Sequence, residues 1–276
     1  MSGWALWRRQ IAGILRLELK KSFFAKRGLW IYLLSLGPLV LTIGHSIYTS
    51  ARGVVRCSIA EDSMVFAGTF QFFYLKFAVF FGCVAVFTNL FRGEVLERTL
   101  HYYLLAPVRR EVLLAGKYVA GLTATAVLFG LSVMLAFLTI SAHFGQEYWN
   151  YILRGPGLAQ MGWYVLIAVL ACLGYGAIFL LMGLTYRNPM IPAATVMVWE
   201  GINGFLPPLL KKFSVIFYLK SLCPVDVPLP GPLSILALEA DPAPAWLAIP
   251  GLVAVSALVI YLASRRARMF QVNYGE

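Results

Sequence analysis

Gly162-Trp-Tyr-Val-Leu-Ile-Ala-Val-Leu-Ala-Cys-Leu-Gly-Tyr-Gly-Ala-Ile-Phe-Leu-Leu-Met-Gly-Leu-Thr-Tyr186 contains no charged side chain from end to end. A helix crosses the roughly 30 Å hydrocarbon core of a bilayer with about 20 apolar residues, so this stretch crosses with length to spare. Five more stretches qualify on the same ground: 29–49, 65–91, 118–142, 190–210 and 245–262. The run over 65–91 exceeds what one crossing needs, and 190–210 is weakened near its end by Gly201, Gly204, Pro207 and Pro208.

Composition agrees. Hydrophobic residues make up 60% of the chain and charged residues 13%, about half the charge of an ordinary soluble domain. Most of the surface therefore faces something other than water. Little sequence remains outside the spans, so 1–276 reads as a single all-α membrane domain with six transmembrane helices.

The net charge of +11 does not point to nucleic acid. The basic residues flank apolar runs and form no aromatic-interleaved basic face, so membrane lipids are the expected contact and nucleic acid is not. With both ends in the cytoplasm, the inner segments hold Arg8, Arg9, Arg16, Lys20, Lys21, Lys26, Arg27, Arg92, Arg98, Arg109, Arg110, Lys117, Arg187, Arg265, Arg266 and Arg268. The outer segments hold only Arg52, Arg56, Arg154, Lys211, Lys212 and Lys220. This asymmetry predicts cytoplasmic termini. No cleaved signal is read at the start, because the first apolar run begins near Leu29 and no clear cleavage site follows it.

Residues 1–28 are expected to form an interfacial helix. Trp4, Trp7, Ile11, Ile14 and Leu15 share one helical face, and Arg9, Arg16 and Lys20 lie opposite. Glu18 falls where the apolar stripe ends, with Lys21 and Ser22 as local partners. On the outer side, 143–161 carries Tyr148, Trp149 and Tyr151, an aromatic group suited to the membrane surface. The proline-rich stretch 211–244 begins with an apolar piece too short to cross, expected as a re-entrant or interfacial helix capping the outer side. Cys57 and Cys223 share that side, which leaves a disulfide open; Cys83 and Cys172 fall within apolar runs as small core residues.

The cytoplasmic stretch 92–116 carries the most information. Leu96, Leu100, Tyr103 and Leu104 recur on one helical face, while Glu94, Glu97, Arg98 and His101 fall mostly elsewhere. Pro107 cannot continue that helix, and Arg109, Arg110 and Glu111 open the next one. A short amphipathic helix, a sharp turn and a restart suit docking into a partner's groove.

Here the sequence resembles the permease subunits of type-2 ATP-binding-cassette (ABC) exporters. Glu94, Glu97, Thr99, Leu100, Leu104, Leu105, Pro107, Val108, Arg110, Gly116 and Lys117 fit the pattern of that family's cytoplasmic loop, although Glu111 directly follows Arg110, a small departure in spacing. The N-terminal amphipathic helix, the six spans and the apolar outer segment extend the likeness over nearly the whole chain. The resemblance implies a coupling helix, with Glu94, Glu97, Arg98, Leu100, Tyr103, Leu104, Pro107 and Arg110 docking a cytoplasmic ABC ATPase present in two copies. It also implies a second permease subunit, identical or not, and a place in the cytoplasmic membrane of a prokaryote. The cargo is expected to be amphipathic or apolar, because the outer cap is itself apolar.

The chain carries no P-loop: Gly116-Lys117 is followed by Tyr118 and lacks the preceding glycine. ATP and Mg are therefore expected on the partner, with no cofactor and no metal here. No catalytic group stands out, since His45, His101 and His143 are far apart in sequence with no carboxylate pair nearby. Glu200, in Trp199-Glu-Gly-Ile-Asn-Gly-Phe205, lies at membrane depth, where an ionisable side chain marks a functional site by default. Glu200 and Asn203 are therefore candidates for a pathway or gate, and Glu200 would carry the alternative function, an ion-coupled secondary transporter or channel. The structural alternative for Glu200 is a bond to Lys76 or to Asn203 across the subunit interface. Lys76 itself reads as snorkelling to the interface. Phe73 and Phe77, in the aromatic run Phe70, Phe72, Phe73, Tyr74, Phe77, Phe80 and Phe81, either line a path for an apolar cargo or pack the bundle.

Overall fold

The computed structural model describes residues 3–24, 29–52, 58–97, 105, 108–227, 238 and 240–269. Among these residues all regular structure is helical: α1 (Gly3–Phe24), α2 (Leu29–Arg52), α3 (Ile59–Gly68), a π-helical segment (Thr69–Val79), α4 (Phe80–Leu96), α5 (Arg110–Ile140), α6 (Gln146–Arg154), α7 (Gly157–Thr185), α8 (Met190–Gly201), α9 (Pro208–Lys211), α10 (Val215–Ser221) and α11 (Ala245–Arg268). Five helical stretches among them are long and apolar enough to cross a membrane: Ile31–Ala51, Ile59–Leu96, Arg110–Ile140, Gly157–Thr185 and Ala245–Arg268. The fold is that of a multi-pass membrane protein.

The stretch expected as the fifth span, 190–210, is not one helix. α8 stops at Gly201, a 3-10 turn covers Ile202–Phe205, and Pro207 and Pro208 restart the chain as the four-residue α9. Twelve helical residues rise only about 18 Å, short of a full crossing. The glycines and prolines flagged in the sequence are the cause, since they remove backbone donors and helix propensity together.

The long second span holds together differently. Ser58 and Glu61 form a reciprocal capping box that starts α3. Buried positions then recur at every fourth residue, as Phe66, Phe70, Tyr74 and Ala78 and again as Ala67, Gln71, Leu75 and Val79. A helix with 3.6 residues per turn would rotate such a series off its face, whereas the wider π geometry keeps it closer to one side. The aromatic run divides accordingly: Phe70, Tyr74 and Phe80 are buried, while Phe73 and Phe77 are exposed. Phe66 and Phe70 meet Tyr164 edge-on at 4.9 and 4.8 Å between ring centroids, and Phe80 meets Tyr175 and Phe179.

α7 forms the centre of the bundle, packed against α4, α5 and α11. Small residues set the spacing, as is usual where lipid supplies no hydrophobic drive between helices. A Cβ on Gly183 would lie 2.9 Å from the Thr88 carbonyl oxygen, so α4 and α7 approach backbone to backbone there.

α1, expected as an interfacial helix, packs along α5. Its stripe faces inward as the periodicity implies, but α5 covers it. Trp7 stacks under Arg109, Ile14 lies against Gly116, and Glu18 reaches Lys117. These contacts run in register, so α1 lies alongside the opening turns of α5. Arg110 donates to the Arg268 carbonyl at 2.8 Å and Arg268 pairs with Glu111. Trp7 and Arg268, near the two termini, therefore sit at the same end of the bundle.

Candidate functional site

Lys117 is the best-engaged charge at that end. It sits in the second turn of α5, is 0% exposed, and its ammonium lies 2.7 Å from Glu18 Oε1 and 2.7 Å from Glu94 Oε1. It also donates to the Leu90 carbonyl at 3.0 Å. Lys21, half exposed, adds a second bond to Glu94 Oε1 at 3.1 Å. Two carboxylates thus face two ammonium groups, and the cluster is neutral although Glu18, Glu94 and Lys117 are buried. Such a group is held by mutual pairing, because each ion alone would cost several kcal/mol to bury.

The three buried members come from three different elements, and Lys21 shares α1 with Glu18. Glu18 ends the apolar stripe of α1, Glu94 lies in the last turn of α4, and Lys117 opens the apolar part of α5. Gly116 makes the approach feasible: a Cβ there would stand 3.0 Å from Ile14 Cγ2. The local pair expected for Glu18 exists only as a secondary contact, with Lys21 at 3.9 Å. The partner the sequence did not suggest is Lys117.

The expected docking residues separate in space. Glu94 is buried in this cluster, with its Oε2 unbonded. Glu97 caps α4 and is exposed, and Arg110 is exposed at the start of α5. Arg98, Leu100, Tyr103, Leu104 and Pro107 lie outside the described residues; Leu105, which is described, is exposed. The cluster is therefore the root of the segment 92–116.

Glu200 has a different employment. Its carboxylate accepts from Ser214 Oγ at 2.6 Å, from Ile216 N at 2.9 Å and from Val215 N at 3.0 Å. It caps the first turn of α10, whose backbone donors have no helical acceptor. Within this chain neither Lys76 nor Asn203 hydrogen-bonds the carboxylate: its charge acts on Lys76 from beyond ion-pair distance, and Asn203 donates to the Lys211 carbonyl at 3.4 Å. The Tyr175 hydroxyl stands near the same carboxylate without a bond of its own. α10 is thereby tied to the break that ends α8. This segment is the short apolar piece expected in 211–244, and its Cys223 is a free thiol, Cys57 lying outside the described residues.

Two of the histidines are brought together against the expectation that they lie apart. His45 Nε2 is 3.2 Å from Asp62 Oδ1, Ser141 Oγ donates to Asp62 Oδ2 at 3.0 Å, and His143 Nε2 stands 3.8 Å from the same oxygen. This cluster, centred on the buried Asp62 and Ser141, joins α2, α3 and the end of α5. Among the described residues no group of three or more His, Cys, Asp or Glu is arranged to hold a metal ion. Phe73, Phe77 and Phe81 form an outward ladder with centroids 6.1 and 6.4 Å apart.

Neither a scan of protein-family models nor a search of curated proteins finds a match to this sequence.

Proposed function

We propose that this chain is the membrane-spanning subunit of an ATP-driven exporter of the type-2 ABC kind, paired with a second such subunit and driven by two copies of a separate cytoplasmic ATPase. The observation that carries this reading is the Lys117 cluster at the root of segment 92–116. That segment, whose sequence resembles a coupling helix, leaves the membrane at Glu94 and returns at Lys117, and these two ends pair with each other and with α1, Lys117 through buried Glu18 and Glu94 through half-exposed Lys21. A push on the segment would move α1, α4 and α5 as one unit rather than bend one helix end.

ATP and Mg belong to the partner, which supplies the free energy. The membrane chain needs two arrangements of its bundle, one of which fits the nucleotide-closed ATPase pair better than the other. The ion-coupled alternative asks Glu200 to exchange a proton or cation. Its carboxylate already holds the first turn of α10, whereas the exporter reading makes no such demand.

Purification of the tagged chain from its native membrane tests the reading. The expected result is a co-purifying protein that contains a P-loop and hydrolyses ATP. Leu100→Glu and Leu104→Glu should release it while the chain stays folded and membrane-inserted. Retention of the ATPase by both variants would remove the coupling assignment.

A further inference from the structure

Among the described residues no carboxylate lies within ion-pair distance of Lys76 or Lys220, although the charge of Glu200 acts on Lys76 from further away, which sets the two apart from the other engaged lysines. Lys117 meets two carboxylates, Lys21 meets Glu94, and Lys211 donates to the Leu238 carbonyl. Lys76 and Lys220 form no ion pair or hydrogen bond with any described residue, and both lean on a single ring: their ammonium nitrogens stand 5.4 and 5.1 Å from the Phe72 centroid. Two like charges thus share one aromatic face group, each only partly exposed.

The place is specific. Lys76 lies about 25 Å along the second long helix from Glu94, at about 1.5 Å per residue or slightly less through the π segment. That distance brings it close to the opposite face of a hydrocarbon core about 30 Å thick. α10 and the chain just after it are held in place, with Gln71 Nε2 of the π segment donating to the Val225 carbonyl at 2.9 Å and Glu200 capping the helix. Lys220 is therefore held over Phe72 from two directions. Burial pushes its ammonium down to about 8, and the charges of Lys76 and Lys211 act in the same sense. A π-helix, rare in proteins and frequent at functional sites, carries Phe72 and Lys76.

We propose that Lys76 and Lys220 bind the phosphate-type anionic head of an amphiphile, with its chain lying along the ladder of exposed Phe73 and Phe77 and half-buried Phe81. Lysine is a point charge suited to phosphoryl oxygens. A single anion shared by the two ammonium groups removes their mutual repulsion and the cost of holding them at the membrane boundary. The adjoining ladder supplies apolar surface that a free ion cannot use. The assignment stands on the lysines and the ladder and does not depend on an ATPase partner.

The test uses the full chain in nanodiscs of phosphatidylcholine, titrated with dioctanoyl phosphatidic acid, dioctanoyl phosphatidylcholine and inorganic phosphate, and read by native mass spectrometry. Phosphatidic acid should bind at least about tenfold more tightly than either of the others, the scale of one charge-assisted hydrogen bond. Lys76→Gln with Lys220→Gln should remove that preference, Lys76→Arg with Lys220→Arg should retain it, and Lys212→Gln at an exposed lysine should leave it unchanged. Removing two partly buried charges that repel each other outweighs the loss of the distant attraction between Lys76 and Glu200, so the double glutamine variant should fold at least as well as the parent. Undiminished phosphatidic acid binding by that variant overturns the site. Equal binding of inorganic phosphate overturns the headgroup assignment.

Discussion

Lys117 Nζ and Glu18 Oε1 lie 2.7 Å apart although 99 positions separate them in the chain. This contact makes the N-terminal helix part of the bundle. Without it α1 would present an apolar stripe ending in a carboxylate, with lipid on one side and water on the other. With it, the carboxylate that ends the stripe meets the lysine that begins the apolar part of α5, and Glu94 completes the pairing from α4.

Lys117→Met should destabilise the protein by about 3–5 kcal/mol, because two buried carboxylates are left facing each other. Glu18→Gln combined with Lys117→Met should cost less than the two separate losses together, with a coupling of about 0.5–3 kcal/mol. Thermal unfolding in detergent measures all three variants. Additive losses would mean that the pair does not act as a unit.

Gly183→Ala should lower stability by about 1–3 kcal/mol, since its Cβ would lie 2.9 Å from the Thr88 carbonyl oxygen and backbone cannot swing aside. Gly13→Ala, on a part of α1 with nothing within 4 Å, should instead gain roughly 0.5–1 kcal/mol from helix propensity. Opposite shifts in midpoint temperature are the expected outcome.

Glu200→Ala should loosen α10 locally, with a loss of about 1–3 kcal/mol. Hydrogen exchange reads it directly: the amides of Val215 and Ile216 should exchange faster, while those of α7 stay protected. Glu200→Gln keeps an acceptor oxygen and should exchange at an intermediate rate. Unchanged protection at Val215 and Ile216 in the alanine variant would contradict the capping role.

Stability should also depend on pH through Lys220. Its folded-state value is lowered from 10.5 to about 8, so the charged form is penalised in the folded state and the penalty is complete below pH 8. Between pH 8 and 10.5 the unfolded chain binds more protons, and stability rises with pH. The nearby groups are Lys76, Lys211, Cys223 with its thiol pushed up to about 12, and Asp226 beyond it. In phosphatidylcholine alone, Lys220→Met should melt above the parent below pH 8, and the gap should close toward pH 10.5. A constant gap would contradict the assignment.

Much of the architecture was legible because apolar length and period are local properties. The stripe of α1, the long second run and the weakened fifth run all follow from neighbours in sequence. What covers the stripe was not legible, since Ile14 against Gly116 and Glu18 against Lys117 are contacts between distant segments. A hint existed: Glu18, Glu94 and Lys117 each sit at the edge of an apolar run, where opposite charges at one depth can meet. Glu200 was singled out for its depth, but its partners, Ser214, Val215 and Ile216, become visible only once the chain folds back after α9. The aromatic run resisted division because its four-residue recurrence belongs to a π-helix, and a 3.6-residue reading assigns the faces wrongly.

The most direct test of the exporter reading places spin labels at Glu97, at the end of α4, and at Arg266, near the end of α11, and follows their separation. In the complex that co-purifies with the ATPase, adding ATP and Mg should shift the distance distribution, and the chain alone should not respond. Lys117→Met should bind the ATPase yet blunt the shift. An identical response from the isolated chain, or none from the complex, would contradict the account.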